Sequence, residues 1–309
     1  MANGIAARLW RAAYLLLLLA VLFWSANFIL GRAFAAVIPP ISLAFWRWVG
    51  ASLLVLPFAW PHLSRDLPLV RRFWPRMLLL SAIGVSTFNT CAYIGLQTTT
   101  AIHGVLLQSA MPVVILIFTF LFFGERPKLA QILGVVLSIA GVLAIISEGR
   151  GQALLDLALN RGDIAILIAI LAYGAYTALL RIKPPMHPLS FLAATFVIGT
   201  LLLLPFYLWE LSTGRVLTLD GPTMMVIAYV AIGPSLLSYL FYNRGIELLG
   251  ANRAGQFMYL VPAFGSLFAV IFLGEALRLY HVAGIALIAV GVSLASRRSL
   301  RQAASPAPS

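Results

Sequence analysis

Apolar segments long enough to cross a lipid bilayer recur along the whole sequence, and this feature limits the possible folds more than any other. A membrane-spanning helix needs about 20 predominantly apolar residues. The segments found here are apolar on all sides, whereas the strands of a membrane barrel alternate between polar and apolar positions. We therefore predict an all-α integral membrane protein with ten transmembrane helices, at Tyr14–Val37, Ile41–Trp60, Met77–Gln97, Ile102–Phe123, Leu129–Ile146, Ile164–Leu180, Leu189–Leu208, Thr223–Tyr242, Ala254–Leu273 and Leu279–Ala295.

The composition agrees with the bilayer as the solvent of this chain. Of its 309 residues, 62% are hydrophobic and only 10% are charged, whereas soluble domains average about 25% charged residues. The connections between segments are too short for a separate soluble domain. A cleaved signal peptide is the alternative for the first segment, because Arg8 and Arg11 precede it and Ala33-Phe34-Ala35 resembles a cleavage site. Its apolar run nevertheless continues at full spanning length.

The basic residues predict the side of the membrane on which each loop lies, since cytoplasmic loops carry an excess of Lys and Arg. With the N-terminus inside, the cytoplasmic segments hold Arg8, Arg11, Arg65, Arg71, Arg72, Arg76, Arg126, Lys128, Arg181, Lys183, Arg244, Arg253, Arg297, Arg298 and Arg301. The opposite side holds only Arg150, Arg161, Arg215 and Arg278. We therefore predict an N-in, C-in topology in a bacterial cytoplasmic (inner) membrane. The net charge of +12 then needs no nucleic-acid partner.

The chain contains an internal repeat. The stretch LFFGERPKLAQILGVVLSIAGV at 121–142 returns as IFLGEALRLYHVAGIALIAVGV at 271–292, so that Gly124 and Gly141 match Gly274 and Gly291 at an offset of 150 residues. Nearer the start of each half the offset drifts to 148, where Leu56-Pro57 matches Leu204-Pro205. The predicted units are a first five-helix repeat at 12–147, a second at 163–296, and a disordered cytoplasmic tail at 297–309.

Each half has five spans, and this odd number has a geometric consequence. The halves must enter the membrane from opposite sides, which makes an inverted-topology repeat with a substrate site near the midplane between the halves. Exchange of conformations between the halves would turn an inward-open cavity into an outward-open one. A duplicated structural membrane protein without transport remains the alternative, because symmetry alone specifies no cargo.

The ordered set of motifs resembles the EamA-like family of the drug/metabolite transporter superfamily. The resemblance rests on FWSANF at 23–28, FGE at 123–125 with LGE at 273–275, a proline in each fourth span, and glycine-rich fifth spans. It covers roughly residues 12–296. It implies ten helices, a central cavity, and export or exchange of small metabolites, often amino acids or their relatives.

Polar and aromatic residues within spans are the candidate substrate ligands, because buried polarity in lipid is costly and usually faces a cavity or a partner. By analogy with the family, spans 1, 3, 4, 6, 8 and 9 line the cavity. Any one of these residues could instead form an interhelical bond or an interface belt. The predicted substrate-binding residues are Trp24, Asn27, Arg47, Asn89, Tyr93, Gln108, Tyr173, Tyr176, Tyr239, Asn243, Gln256 and Tyr259.

Arg47 is the most expensive of these residues to place within a membrane, at roughly 2.5–3.5 kcal/mol on insertion scales. Two interpretations are open: an anchor at the outer interface between Trp46 and Trp48, or a ligand for a substrate carboxylate. Arg32 lies nearer a span end and is interpreted as an anchor.

The matched prolines and glutamates have predicted mechanical roles. Pro112 and Pro262 each remove a helical hydrogen bond at mid-span, which predicts either packing kinks or hinges that gate access. Glu125 and Glu275 each follow a glycine at a helix end and are predicted to cap backbone amides. The alternatives are pairing with a basic neighbour such as Arg126 or Arg278, and gating. The glycines of the fifth spans are predicted to allow close helix packing.

No catalytic constellation is evident in the sequence. The four histidines are dispersed, Cys91 is the sole cysteine, and neither HExxH nor GxSxG occurs. We therefore predict no enzyme activity, no metal and no cofactor. All acidic residues lie in loops or near span ends, and His103 lies at a span entrance, so facilitated exchange is as plausible as proton coupling.

The predicted function is that of a membrane carrier that exports a small metabolite, an amino acid or a related amphipathic compound, by alternating access around a central cavity. The alternative is a non-enzymatic structural or lipid- or drug-translocating membrane protein. The predicted partners are a small-molecule substrate and the bilayer, and a homodimer remains open.

Overall fold

A computed structural model describes residues 10–124, 129–147, 149 and 160–296, and these residues form helices without any β-strand. We number the long helical rods in chain order: α1 Ala13–Ala33, α2 Pro40–Arg72, α3 Trp74–Leu96, α4 Ala101–Phe123, α5 Leu129–Ile146, α6 Arg161–Ile182, α7 Pro188–Ser212, α8 Gly221–Leu249, α9 Ala251–Gln256 continuing through Phe257–Tyr259 to Leu260–Leu273, and α10 Leu279–Ser296.

Length and hydropathy make α1 to α4 and α6 to α9 capable of crossing a membrane, eight helices among the residues described. The apolar parts of α5 and α10 are shorter, at Ile132–Ile145 and Leu279–Gly291. Most helix ends agree with the predicted spans to within about three residues. Two helices are longer than predicted: α2 continues past Trp60 to Arg72, and α8 continues past Tyr242 to Leu249. Hydropathy marks where a chain enters lipid, whereas a helix can continue beyond the apolar layer.

Two pairs of matching helices pack against each other and run antiparallel. Gly141 of α5 lies against Gly284 and Ile288 of α10, while Ile145, one turn later in α5, again meets Gly284. A Cβ added to Gly141 would lie 2.6 Å from the Gly284 carbonyl oxygen. In lipid, small residues allow such close approach of helix backbones. The predicted glycine packing is therefore present between α5 and α10.

The helices α2 and α7 form the other antiparallel pair. Glu210 at the end of α7 accepts hydrogen bonds from the backbone N–H groups of Ile41 (3.1 Å) and Ser42 (2.6 Å) at the start of α2. At the opposite end of the pair, the ring of His62 stacks on that of His187, with 3.7 Å between ring centroids. Glu210 is 2% exposed, so this carboxylate caps the helix from inside the protein.

The matching helices α3 and α8 each contain a π-helical turn. These wide turns span Ala82–Thr87 in α3 and Ala231–Leu237 in α8. Turns of this type are rare and are frequent at functional sites. They place backbone carbonyl groups of both helices beside the centre of the bundle, where aromatic side chains bond to them.

The matching helices α4 and α9 each contain a single 3₁₀ turn, at Gln108–Ala110 and Phe257–Tyr259. Pro112 and Pro262 follow these turns. A proline has no N–H to offer the carbonyl four residues earlier, which explains why both helices tighten at the matching place. The structure therefore contains a local break at both predicted hinge positions.

The helices α4 and α9 each end at a glycine. Gly124 and Gly274 adopt positive φ values of 68° and 64° directly after the last helical residue. Glu275 accepts hydrogen bonds from the N–H groups of Ala101 (2.9 Å) and Ile102 (2.8 Å), and thereby caps α4 from the other half of the chain. Glu125 and the tail at 297–309 lie outside the described residues.

Candidate functional site

A buried aromatic cluster occupies the centre of the bundle, where helices of both halves meet. The ring of Trp24 lies 5.6 Å from that of Tyr173, 6.0 Å from Tyr239 and 5.0 Å from Tyr242, in edge-on geometries. The Trp24 indole N–H donates to the Pro234 carbonyl at 2.9 Å, and the Tyr239 hydroxyl donates to the Gly84 carbonyl. Both acceptors belong to the π turns, so the cluster is attached directly to them.

Arg47 lies beside this cluster and is fully buried, at 0% exposure. Its Nε donates to the Ser235 hydroxyl, and its Nη1 donates to Asn27 Oδ1 at 3.1 Å and to the Tyr93 hydroxyl at 2.8 Å. The guanidinium carbon also lies 5.0 Å from the ring centre of Trp48. The interpretation of Arg47 as an outer-interface anchor is therefore wrong, because the charge points into the bundle.

Arg47 and its three hydrogen-bond partners come from four different helices. The charge comes from α2, and its partners come from α1, α3 and α8. All three partners are neutral, and Nη2 of Arg47 is buried with no hydrogen-bond partner among the described residues. A buried cation without a carboxylate is costly, and this arrangement offers two N–H donors to a ligand.

Each half contains a Tyr–Asn pair, with the two residue types exchanged between matching helices. In the first half, Tyr93 of α3 donates to Asn27 of α1 at 2.7 Å. In the second half, Tyr176 of α6 donates to Asn243 of α8 at 3.3 Å. Tyr93 also bonds Arg47, and Tyr176 packs against Tyr173 and Tyr239 of the aromatic cluster.

A pocket of about 510 Å³ opens at one end of the bundle, which we call the pocket end. Its wall is formed by the C-terminal parts of α6 and α8 and the connection to α7. Asn243 lies in this wall and joins the pocket to Tyr176 of the aromatic cluster. The other lining residues are Leu180, Arg181, Lys183, Pro184, Pro185, Met186, Pro188, Ile246 and Glu247.

At the opposite end, which we call the closed end, close contacts between described residues hold α1, α3 and α6 together. Arg32, at the end of α1, donates to the Leu96 carbonyl of α3 at 3.0 Å. The Thr99 hydroxyl donates to Asp163 at 2.5 Å, and a Cβ added to Gly95 would lie 2.7 Å from the Gly162 carbonyl oxygen. The residues that match Arg32 and Leu96 are Arg181 and Ile246, which line the pocket.

The structure brings together nine of the twelve predicted substrate residues. Trp24, Asn27, Arg47, Asn89, Tyr93, Tyr173, Tyr176, Tyr239 and Asn243 form one continuous buried set. Gln108 is buried elsewhere, in the 3₁₀ turn of α4 that packs against α9, α5 and α10, and neither end of its amide has a partner among the described residues. The side chains of Gln256 and Tyr259 lie outside the described part of the structure.

Three residues of the site escaped the sequence analysis. Ser235 bonds Arg47 from within a π turn, and no sequence pattern marks such a turn. Trp48 was interpreted with Arg47 as an interface residue, although it is fully buried against Tyr239, with 5.3 Å between ring centroids. Tyr242 follows Tyr239 by three residues, and this helical spacing could have identified it.

Comparison with known proteins assigns the molecule to a class and then to a family. The sequence profile of the EamA-like transporter family matches residues 11–147 and 160–297. The protein is therefore an integral membrane protein of the transporter class. The chain belongs to the EamA-like transporter family, in agreement with the resemblance found in the sequence.

Curated relatives cover nearly the full length of the chain. The uncharacterized transporter YyaM of Bacillus subtilis (strain 168) is 28% identical over 289 residues, which are 92% of this chain and 93% of YyaM. An uncharacterized transporter of Archaeoglobus fulgidus is 26% identical over 289 residues, 92% of this chain and 97% of that protein. One solved crystal structure shares the fold, with a TM-score of 0.67 at 18% identity over 93% of this chain and 98% of its own.

Proposed function

We propose that this protein is a carrier that moves a small amphipathic metabolite out of the cell by alternating access. The observation that supports this most directly is the difference between the two ends of the bundle. A pocket leads to the Tyr176–Asn243 pair at one end, while the matching Asn27–Tyr93 pair lies behind the Arg32–Leu96 contact at the other. A carrier that opens to one side at a time needs this arrangement of one open and one sealed access route.

The antiparallel packing of matching helices supports an inverted repeat. When α2 runs antiparallel to α7 and α5 to α10, the two halves are related by a two-fold axis perpendicular to these helices. Rotation about this axis also relates the contact between α3 and α6 to the contact between α8 and α1, and both contacts are extensive. If α5 and α10 also cross, the chain has ten spans with both termini on one side, and the distribution of Lys and Arg favours the cytoplasm for that side. At 18 residues each, these helices are about 27 Å long, close to the thickness of the hydrocarbon core.

In this topology the pocket end faces the cytoplasm, and the closed end faces outward. The proposed membrane is the bacterial cytoplasmic membrane, and the proposed activity requires no catalysis. The matched breaks at Pro112 and Pro262 provide the proposed hinges, since both lie where their helices cross the middle of the bundle.

The test is reconstitution of the purified protein into liposomes, with measurement of labelled-metabolite flux with and without a pH gradient. We expect saturable flux of one chemical class, with counterflow when unlabelled cargo is inside. Equal flux with empty liposomes would contradict the proposal. Translocation of lipids or of unrelated drugs at comparable rates would favour the alternative of a translocator without a defined metabolite.

A further inference from the structure

Resting on the proposed carrier function, we propose that the cargo is an organic acid with an apolar or aromatic body and no ammonium group, and that Arg47 binds its carboxylate. The proposal names the cargo class for the same site. It depends on the charge and hydrogen bonding around Arg47, on the placement of the described acidic side chains, and on the aromatic rings beside the site.

The charge of Arg47 has no anionic partner among the described residues, since its three hydrogen-bond partners are neutral. Its Nε and Nη1 are held by Ser235, Asn27 and Tyr93, so the guanidinium cannot turn away when the site is empty. Nη2 keeps two N–H donors without an acceptor in the described structure. Charge-assisted hydrogen bonds from Arg to a carboxylate are about twice as strong as neutral ones. A carboxylate therefore supplies both the missing acceptor and the missing negative charge.

The site is unfavourable for a cargo that carries its own positive charge. An ammonium group in the cluster would be repelled by the fixed charge of Arg47 and would find no carboxylate among the described residues beside it. The described acidic side chains are all engaged elsewhere. Asp66 accepts from the His187 N–H, Asp163 from Thr99, Glu210 from Ile41 and Ser42, Asp220 from the Thr223 N–H, Glu247 from Lys183 and Arg244, and Glu275 from Ala101 and Ile102.

The lining of the pocket and the aromatic rings near it also bear on the cargo. The charged residues lining the pocket are Arg181, Lys183 and Glu247, and Lys183 is paired with Glu247. The rings of Tyr173 and Tyr239 pack against Tyr176, the hydrogen-bond partner of Asn243, and aromatic rings suit an apolar or aromatic body. Nη2 is covered in the present state, so the acid reaches it when the pocket deepens past Asn243.

The experiment measures ligand-induced thermal stabilisation of the full-length protein in detergent, because a ligand that binds the folded state raises its Tm. The probes share one skeleton: hydrocinnamate, hydrocinnamamide, phenylalanine and phenylpropylamine, with hexanoate and hexanamide as an aliphatic pair. We expect at least one of the two acids to bind about tenfold or more tightly than its amide. We also expect hydrocinnamate to bind more tightly than phenylalanine and phenylpropylamine.

Variants link this preference to Arg47. Arg47→Gln should abolish the preference for acid over amide, Arg47→Lys should keep part of it, and Arg215→Gln, an exposed loop cation, should keep all of it. If Arg47→Gln does not fold, Tyr93→Phe serves instead, and we expect it to weaken acid binding and leave amide binding unchanged. The proposal is overturned if neither acid binds, if amide, amino acid or amine binds as tightly, or if the preference survives Arg47→Gln.

Failure of the carrier function can be distinguished from failure of this inference. Acid binding without flux in liposomes would reject the carrier and keep the carboxylate site. Flux of amino acids or amines that does not depend on Arg47 would keep the carrier and reject the acid cargo.

Discussion

Arg32 of α1 holds the backbone carbonyl of Leu96 of α3 at 3.0 Å, whereas their matching residues, Arg181 and Ile246, line the wall of a pocket. The same two positions thus take different arrangements at the two ends of one bundle.

Arg32→Gln should favour opening of the closed end. Loss of this partly buried, charge-assisted hydrogen bond costs about 1 kcal/mol, which corresponds to a roughly fivefold change in population. The measurement is the rate at which a membrane-impermeant maleimide labels Ala35→Cys, a buried position at this end, in a Cys91→Ser background. Arg181→Gln is the matched control and should not accelerate labelling at position 35. An unchanged rate in Arg32→Gln would show that other contacts seal this end.

Glu210→Ala should destabilise the fold strongly. The carboxylate is 2% exposed and accepts three hydrogen bonds from Ile41 and Ser42, so its removal leaves two buried N–H groups of α2 unpaired. We expect a loss of about 2–4 kcal/mol in the free energy of unfolding, read from denaturant titration in detergent. Asp220→Asn, at the exposed start of α8, should cost much less. Similar losses for both variants would contradict a buried cap.

Gly141→Ala should disrupt the pairing of α5 with α10. The added Cβ would lie 2.6 Å from the Gly284 carbonyl oxygen, a backbone atom that cannot rotate away, so the two helices must separate. We expect a loss of about 1–3 kcal/mol, as for overpacking of a well-packed core, measured as a lowered Tm. Gly221→Ala is the control because no atom lies within 4 Å of its added Cβ. Equal Tm values for the two variants would contradict close packing here.

The stacked histidines predict a pH effect outside the membrane-spanning segments. Burial, with the neighbouring His62, lowers the pKa of His187, and Asp66 acts in the opposite direction. A lowered pKa stabilises the fold above the ordinary histidine value of about 6.5, and this contribution is lost as the pH falls through the lowered pKa. In NMR titrations, His62→Gln should raise the pKa of His187 and Asp66→Asn should lower it further. Shifts of the same sign in both variants would contradict this assignment.

Sequence periodicity and hydropathy predicted the helices well because lipid imposes one requirement on every span. The chain must stay apolar and satisfy its backbone internally. The extension of α2 from Trp60 to Arg72 lies beyond that requirement. Pro57, Pro61 and Pro68 lie within this helix, so local propensity alone also favoured an earlier end.

The sequence identified those site residues whose polarity is energetically costly within a membrane span. It did not identify residues whose role depends on the local backbone geometry. Arg47 and Asn27 attracted attention because polarity within a span is expensive. Ser235 is a common residue whose role depends on a π turn that sequence patterns do not mark. Gln108 shows the opposite error, since a polar residue in a predicted cavity-lining helix is in fact buried against α9, α5 and α10.

The position in α7 that matches Arg47 of α2 does not hold a basic residue. Thr195 occupies the corresponding place in α7 and donates its hydroxyl to the Phe191 carbonyl within its own helix. In a carrier of the proposed kind, the inward-open and outward-open states therefore differ in free energy, because only one of these two matching positions contributes a positive charge. In such a carrier, the charge of Arg47 would make one of the two states more stable than the other.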